Sequence, residues 1–115
     1  MLEGLGYVWL EVEDLSRSLP FYRDGLRFAE EPDGNGSVAH LRAGDLHLIL
    51  SQGSSQMDCR GAGVALAVEV TGVDTYHDAL VARGIEPTRP RDEGVRRSFT
   101  VTDPDGYVWR FTQES

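Results

Sequence analysis

Side chains that suit ligand binding recur on short alternating segments of the 115-residue chain. Three are aromatic, two are acids, two are histidines, and an isoleucine and an arginine complete the set. They are Tyr7, Trp9, Glu11, His40, His47, Ile49, Glu69, Phe99 and Arg110. Aromatic rings stack on flat apolar groups, and carboxylates attract cations through charge-assisted hydrogen bonds. The set therefore predicts a ligand-binding site rather than a second core.

Motifs for covalent or nucleotide chemistry are missing from the sequence. It contains no nucleophile signature, glycine-rich phosphate loop, Cys-x-x-Cys pair or dinucleotide fingerprint, so we predict no catalytic residue. The single cysteine, Cys59, lies in a Gly/Ser-rich stretch and is interpreted as an incidental thiol. An alternative metal site built from Glu11, His40 and His47 would instead make the chain a metal-dependent enzyme.

The same residues also allow purely structural roles. Tyr7 and Trp9 could fill a dimer interface, and the two histidines could form a cross-strand pair without function. Glu11 and Glu69 could face solvent at strand ends or form an ion pair with Arg110. A non-catalytic protein-interaction module is therefore a further alternative, in which the aromatic surface is buried against a partner protein.

The elements that position these residues follow the same order in both halves of the chain. Alternating segments predict strands, and 3.6-residue periodicity with an N-cap Asp and a terminal Gly predicts a helix. In the first half we predict strands at 7–12, 27–30, 37–42 and 45–51, and a helix at 16–26 capped by Asp14. In the second half we predict strands at 64–70, 86–88, 97–102 and 107–112, and a helix at 74–84 capped by Asp74.

This repetition predicts a tandem duplication of a βαβββ unit. The modules span about residues 1–52 and 63–115, joined by a Gly/Ser-rich linker, within a single domain of residues 1–115. In the first helix, Leu15, Leu19, Tyr22 and Leu26 fall on one face. The fold class is α+β.

Strand alternation also predicts which side chains face the helices. One apolar set should pack under the helices: Val8, Leu10, Val12, Leu46, Leu48, Leu50, Leu66, Val68, Val70, Trp109 and Phe111. The opposite, more varied set contains the predicted ligand-binding residues. Hairpin pairing is expected to place His40 beside His47, and Phe99 beside Arg110.

Two segments carry a resemblance to a known family. The loop 103–106 (Asp-Pro-Asp-Gly) with its following strand, and the segment 11–22, together resemble the vicinal-oxygen-chelate superfamily of glyoxalases, extradiol dioxygenases and bleomycin-resistance proteins. The resemblance covers nearly the whole chain. It implies two βαβββ modules whose curled mixed sheets surround a concave cavity, with the helices on the outside.

The resemblance also assigns four metal-ligand positions, which in this sequence are Tyr7, Ile49, Ala65 and Arg110. Ile and Ala have no ligand atom, and the fixed charge of Arg opposes a cation. We therefore expect no metal and no other cofactor. Arg110 in place of a glutamate looks like the bleomycin-resistance branch, whose members are acidic homodimers that hold a cationic aromatic antibiotic without altering it. The chain departs from that branch at Ile49, where an acid is usual.

Composition agrees with this interpretation. The net charge of −8 argues against a nucleic-acid partner and favours a cationic ligand. No apolar run is long enough to span a bilayer, and the N-terminal residues do not resemble a signal peptide. We expect a cytoplasmic homodimer with ligand clefts at the subunit interface.

Overall fold

The computed structural model describes residues 2–3, 6–53 and 64–114. The chain divides into two compact units, residues 1–57 and 58–115. Each unit contains one four-stranded mixed sheet with a helix on one face, which confirms the predicted α+β class. Cys59 lies outside the described residues. The single-domain organisation and the concave cavity stay predictions.

The first unit begins with a strand and a short helix and continues as a meander. Its elements are β1 (Val8–Val12), α1 (Leu15–Pro20), a π-helical segment (Phe21–Gly25), β2 (Ala29–Glu31), β3 (Val38–Ala43) and β4 (Leu46–Gln52). The sheet order is β1-β4-β3-β2, with β1 parallel to β4 and the other pairs antiparallel. Gly44, at φ 60°, lies in the turn that joins β3 to β4.

The second unit repeats this plan. Its elements are β5 (Ala65–Glu69), α2 (Val73–Ala82), β6 (Arg91–Asp92), β7 (Arg96–Thr102) and β8 (Val108–Glu114). The sheet order is β5-β8-β7-β6, again with one parallel pair, β5 with β8. Identical strand order and direction in the two units agree with the predicted duplication.

An equivalent side-chain hydrogen bond occurs within each unit. The amide oxygen of Gln52 accepts a hydrogen bond from the backbone N–H of Leu15 at 2.7 Å. The amide oxygen of Gln113 accepts one from the N–H of Val73 at 2.5 Å. The first N–H groups of a helix have no partner inside the helix. In each unit the last strand therefore supplies an acceptor to the first residue of the helix.

Replacing Gln113 with alanine is expected to lower the free energy of unfolding by about 1 kcal/mol, because a helix-capping acceptor is lost. Gln52→Ala should have an effect of similar size, because the contact is equivalent. Urea unfolding followed by circular dichroism measures both. Glu114→Ala is the control, since this neighbouring side chain is exposed. A loss no larger than that of the control would show that the amide does not stabilise the helix.

The first helix differs from its prediction in its second half. Asp14 is the N-cap as predicted, and its carboxylate accepts the N–H of Ser16 at 3.0 Å. Hydrogen bonds from Ser16 lower the pKa of Asp14. The α-helix ends at Pro20 and continues as a π-helical segment, since proline has no N–H to donate within the helix. Leu19 is half-buried, while Ser18 and Tyr22 are fully buried.

Two predictions in the second unit are wrong. Asp74 is not the N-cap: Gly72 takes that position, and Asp74 accepts two hydrogen bonds from Arg97 at 2.9 and 3.0 Å. Arg97 lowers the pKa of Asp74. The predicted strand at 86–88 is absent from the described residues, and β6 begins at Arg91 instead. Prolines at positions 87 and 90 flank Thr88 and cannot donate to a strand ladder.

Each unit has its own core between sheet and helix. Six members of the apolar set predicted from alternation are buried: Leu10, Val12, Leu48, Leu50, Trp109 and Phe111. The other five are only half-buried: Val8, Leu46, Leu66, Val68 and Val70. The largest fully buried apolar side chains are Tyr22, Leu26, Leu41, Leu48, Leu50 and Val12 in the first unit, and Trp109, Phe99, Phe111, Leu80 and Val73 in the second. Among the described residues, no helix has the length and apolar character needed to cross a membrane.

Candidate functional site

The first sheet places most of the predicted ligand-binding residues on the face opposite its helix. We call Tyr7, Trp9, Glu11, His40 and His47 the first-module face. The strand register runs from Trp9 to Ile49, from Ile49 to His40, and from His40 to Glu31. Paired residues point to the same side of a sheet. A single row of side chains therefore crosses all four strands.

Three aromatic rings, those of Tyr7, His47 and His40, form a continuous group on this face. Tyr7 is 52% exposed and Trp9 is 49% exposed. The ring centroids of Tyr7 and His47 are 6.3 Å apart, edge to face, and those of His47 and His40 are 5.6 Å apart. Ile49 lies in the same row, between Trp9 and His40, and is 6% exposed. The face offers half-exposed aromatic surface with polar edges.

Glu11 lies at one end of this face, in register with Ser51. It is half-buried, and an ideal Cβ added to Gly53 would come within 2.5 Å of its carboxylate. The carboxylate therefore packs closely against the backbone of Gly53. It adds a negative charge two residues along the strand from Trp9.

The two charged residues of the second sheet that were predicted to bind a ligand, Glu69 and Arg110, are each paired with another side chain. Glu69 accepts a hydrogen bond from Arg96 at 3.0 Å. The Nη1 atom of Arg110 donates to Glu93 and to Ser98, each at 2.8 Å. Ser98 also donates to Glu93. The alternative in which Glu69 pairs with Arg110 is therefore not what the structure shows.

Glu93 was missed by sequence reasoning. It lies in the short turn between β6 and β7, where Gly94 has φ 81°. The hydrogen bond from Ser98 and the charge of Arg110 lower the pKa of Glu93. The sequence signal that could have found it is Asp-Glu-Gly between two strands, a typical hairpin turn. Because the strand was predicted at 86–88 and not at Arg91–Asp92, the turn that follows it was not recognised.

Phe99 does not lie beside Arg110 as predicted. Its register partner is Phe111, and Arg110 pairs with Thr100 instead. Phe99 is 2% exposed, and its ring packs against those of Phe111, Tyr76 and His77 under α2. A shift of one residue along a strand moves a side chain to the other face. The ring therefore belongs to the core, and this geometry does not support stacking of Phe99 on a ligand.

The four positions assigned to metal ligands do not fit a metal ion. Ile49 and Ala65 have no donor atom, and Arg110 carries a fixed positive charge that Glu93 already partners. Within residues 2–3, 6–53 and 64–114, no group of three or more His, Cys, Asp or Glu side chains could hold a metal. Glu11 is in register with Ser51, which lies four residues from His47 along β4. Glu11 and His47 are therefore about 13 Å apart along the strand direction. Metal-free binding stays a prediction.

The second sheet also borders a cleft of about 550 Å³. Its polar lining includes Arg89, Arg91, Glu93, Ser98, Thr100 and Arg110. Thr88 joins this lining because its N–H donates to the carbonyl of Thr100 at 2.9 Å, and its hydroxyl accepts the N–H of Thr100 at 2.8 Å. Of the predicted site residues, Arg110 and Phe99 border this cleft, while Glu69 does not.

Comparison with known proteins identifies related chains. The fosfomycin resistance protein FosX from Listeria monocytogenes is 29% identical over 119 residues, which cover 95% of this chain and 88% of the relative. Its crystal structure superposes with a TM-score of 0.82 at 22% identity, covering 100% of this chain and 96% of that one.

A second solved structure is the bleomycin-binding protein from bleomycin-producing Streptomyces verticillus, complexed with copper(II)-bleomycin. It matches with a TM-score of 0.76 and 27% identity over 100% of both chains. The family model for the Glyoxalase/Bleomycin resistance protein/Dioxygenase superfamily matches residues 4–111, nearly the whole chain. With the repeated βαβββ fold, this match shows that the chain belongs to the glyoxalase/bleomycin resistance/dioxygenase superfamily.

Proposed function

We propose that this protein binds an aromatic, cationic antibiotic of the bleomycin type and protects its host by sequestering the drug without chemical turnover. The observation that carries the proposal is the half-exposed aromatic pair Tyr7 and Trp9 on the first-module face. The similarity to a bleomycin-binding protein over the full length of both chains supports it.

The chemistry of the first-module face suits such a ligand. The rings of Tyr7 and Trp9 offer apolar surface on which a planar heteroaromatic group can stack. Glu11 offers a carboxylate for a cationic group, and partial burial strengthens that attraction. The net charge of −8 raises the local concentration of a cationic drug. Protection then follows from mass action, because bound drug is withdrawn from its target.

The proposal includes a homodimer in the cytoplasm that uses neither metal nor cofactor. In the described part of the chain, each four-stranded sheet ends in strands with only one neighbour within that sheet. Exposed strand edges favour pairing with a further strand. A second copy of the chain can supply that strand and complete a ligand cleft.

Titration of dialysed protein with metal-free bleomycin tests the proposal. We expect saturable quenching of tryptophan fluorescence with a dissociation constant of about 1 μM or tighter, equivalent to about −8 kcal/mol. Calorimetry gives the stoichiometry, and mass spectrometry of the recovered drug tests for turnover. Fosfomycin, which has no aromatic ring, serves as the comparison ligand and is not expected to quench Trp9.

Two outcomes would contradict this function. Absence of saturable binding would exclude bleomycin as the ligand. Binding followed by a change in the mass of the drug would show an enzyme rather than a sequestering protein.

A further inference from the structure

We infer that the cleft of the second module binds an oxyanion, namely the carboxylate, phosphate or phosphonate group of a small molecule, through Arg110, Arg91 and Arg89. This site goes beyond the proposed function, which places the aromatic and cationic parts of a ligand on the first-module face. All residues of the cleft belong to the second unit.

The charge of the cleft lining is opposite in sign to the net charge of the chain. Three arginines and a single glutamate line it, whereas the whole chain carries a net charge of −8. Within residues 64–114, the guanidinium groups of Arg89 and Arg91 make no hydrogen bond and no ion pair with a carboxylate. In this described range, Arg89 and Arg91 thus stay without an ion pair although Asp and Glu outnumber Lys and Arg in the chain, 19 to 11. Arg91 acts on Glu93 through its charge alone, so the N–H donors of both guanidinium groups are available to a ligand in the cleft.

Arg110 presents a free edge to such a group. Both of its hydrogen bonds, to Glu93 and to Ser98, come from Nη1. Guanidinium groups carry five N–H donors in a fixed fork. Among the described residues, the donors of Nε and Nη2 have no acceptor, and these two atoms form the edge that binds carboxylates and phosphates with two parallel hydrogen bonds.

Glu93 shows that the site already accommodates an oxyanion. Its carboxylate accepts hydrogen bonds from Arg110 and from Ser98, whose side chain is 3% exposed. The donors are thus oriented toward a carboxylate by residues fixed in the sheet. Of the donors of Arg110, only Nη1 contacts Glu93, so a second oxyanion can bind beside it at the free edge.

The sheet face around this site is built from buried polar groups. Thr112 is the register partner of Ser98 and is 5% exposed, and its hydroxyl has no hydrogen-bond partner among the described residues. The Nη1 atom of Arg96 is likewise buried without a partner. Buried polar atoms without partners are destabilising and uncommon. Thr112 pairs with Ser98 on the sheet face that also carries Arg110.

An NMR titration of the full chain with methylphosphonate, and separately with acetate, tests the site at constant ionic strength. We expect saturable shifts, with one shared dissociation constant, at the side-chain Nε–H of Arg110 and at the backbone N–H of Ser98 and Glu93. Arg110→Gln should weaken binding about tenfold, and Arg89→Gln, which breaks no ion pair, several-fold. The relative affinity of the two probes distinguishes a phosphonate-type site from a carboxylate site.

Two further variants separate recognition from structure. Glu93→Gln removes the competing negative charge and should tighten binding several-fold, a gain that a merely structural role would not produce. Arg23→Gln, an exposed arginine of the first unit, is the matched control and should bind like the unaltered protein. Circular dichroism confirms that each variant is folded.

The inference is overturned if the shifts do not saturate or spread evenly over all arginine side chains, which would show only general ionic attraction. It is also overturned if Glu93→Gln binds no more tightly and Arg110→Gln binds equally well. Neither result bears on the bleomycin titration, because these probes contain no aromatic or cationic group.

Discussion

Replacing Trp109 with alanine is expected to lower the free energy of unfolding by about 3–5 kcal/mol. Trp109 is fully buried in β8, where its register partners are Leu66 and Val101. Removing the indole leaves a large cavity between the second sheet and α2. Because domains of this size are stable by only about 5–15 kcal/mol, the variant should lose a large part of its stability. Guanidinium unfolding followed by circular dichroism gives the value.

The chain provides its own control for this substitution. Trp9 is 49% exposed, so Trp9→Ala should cost less than about 1 kcal/mol of stability. If Trp109→Ala does not fold well enough for measurement, Trp109→Phe keeps most of the volume and should show an intermediate loss. Equal losses for Trp109→Ala and Trp9→Ala would contradict the burial of Trp109 in the core.

Strand positions could be predicted from the sequence because alternation is a local signal. The pattern in β1 and β4 depends only on neighbouring residues, and Leu10, Val12, Leu48 and Leu50 are buried as expected. Register is not local. The prediction that pairs Phe99 with Arg110 is wrong by one residue, and that error moves an aromatic ring from one face of the sheet to the other.

Helix boundaries show the same limit. The N-cap at Asp14 was predictable because its carboxylate bonds the N–H of Ser16, two residues away. Asp74 has the same residue type near a helix start, but Arg97 on β7 binds it from a distant part of the sequence. Periodicity predicted one continuous helix over 16–26 and did not indicate the π-helical segment at Phe21–Gly25.

The candidate site also contains residues that could be predicted from local pattern and contacts that could not. Tyr7, Trp9 and Glu11 share a face by strand alternation alone, and the sequence placed them correctly together. The partners of Arg110 required knowledge of the turn between β6 and β7. Gly94 allows that turn at φ 81°, and only the turn brings Glu93 to Arg110 and Ser98. The only partners that the sequence analysis offered for Arg110 were Glu11 and Glu69.

Trp9→Ala is expected to weaken binding of metal-free bleomycin by about 2 kcal/mol, or about 30-fold in dissociation constant. The indole is half-exposed on the first-module face, so a stacked ligand would bury the remaining surface. Aromatic anchors of this kind contribute more to affinity than the polar contacts at the rim of a site. Calorimetry is the measurement, because the variant lacks the tryptophan that reports binding by fluorescence.

Two control variants test whether the loss of affinity comes from removal of the aromatic ring. Trp9→Phe keeps an aromatic face and should lose less affinity than Trp9→Ala, since part of the stacking remains. Val95→Ala removes an apolar side chain of the second unit that is 74% exposed, and it should leave affinity unchanged. Unchanged affinity in a folded Trp9→Ala variant would remove Trp9 from the site. Because Trp9 and Tyr7 provide the exposed aromatic surface of that face, the proposed stacking mode would then have to be abandoned.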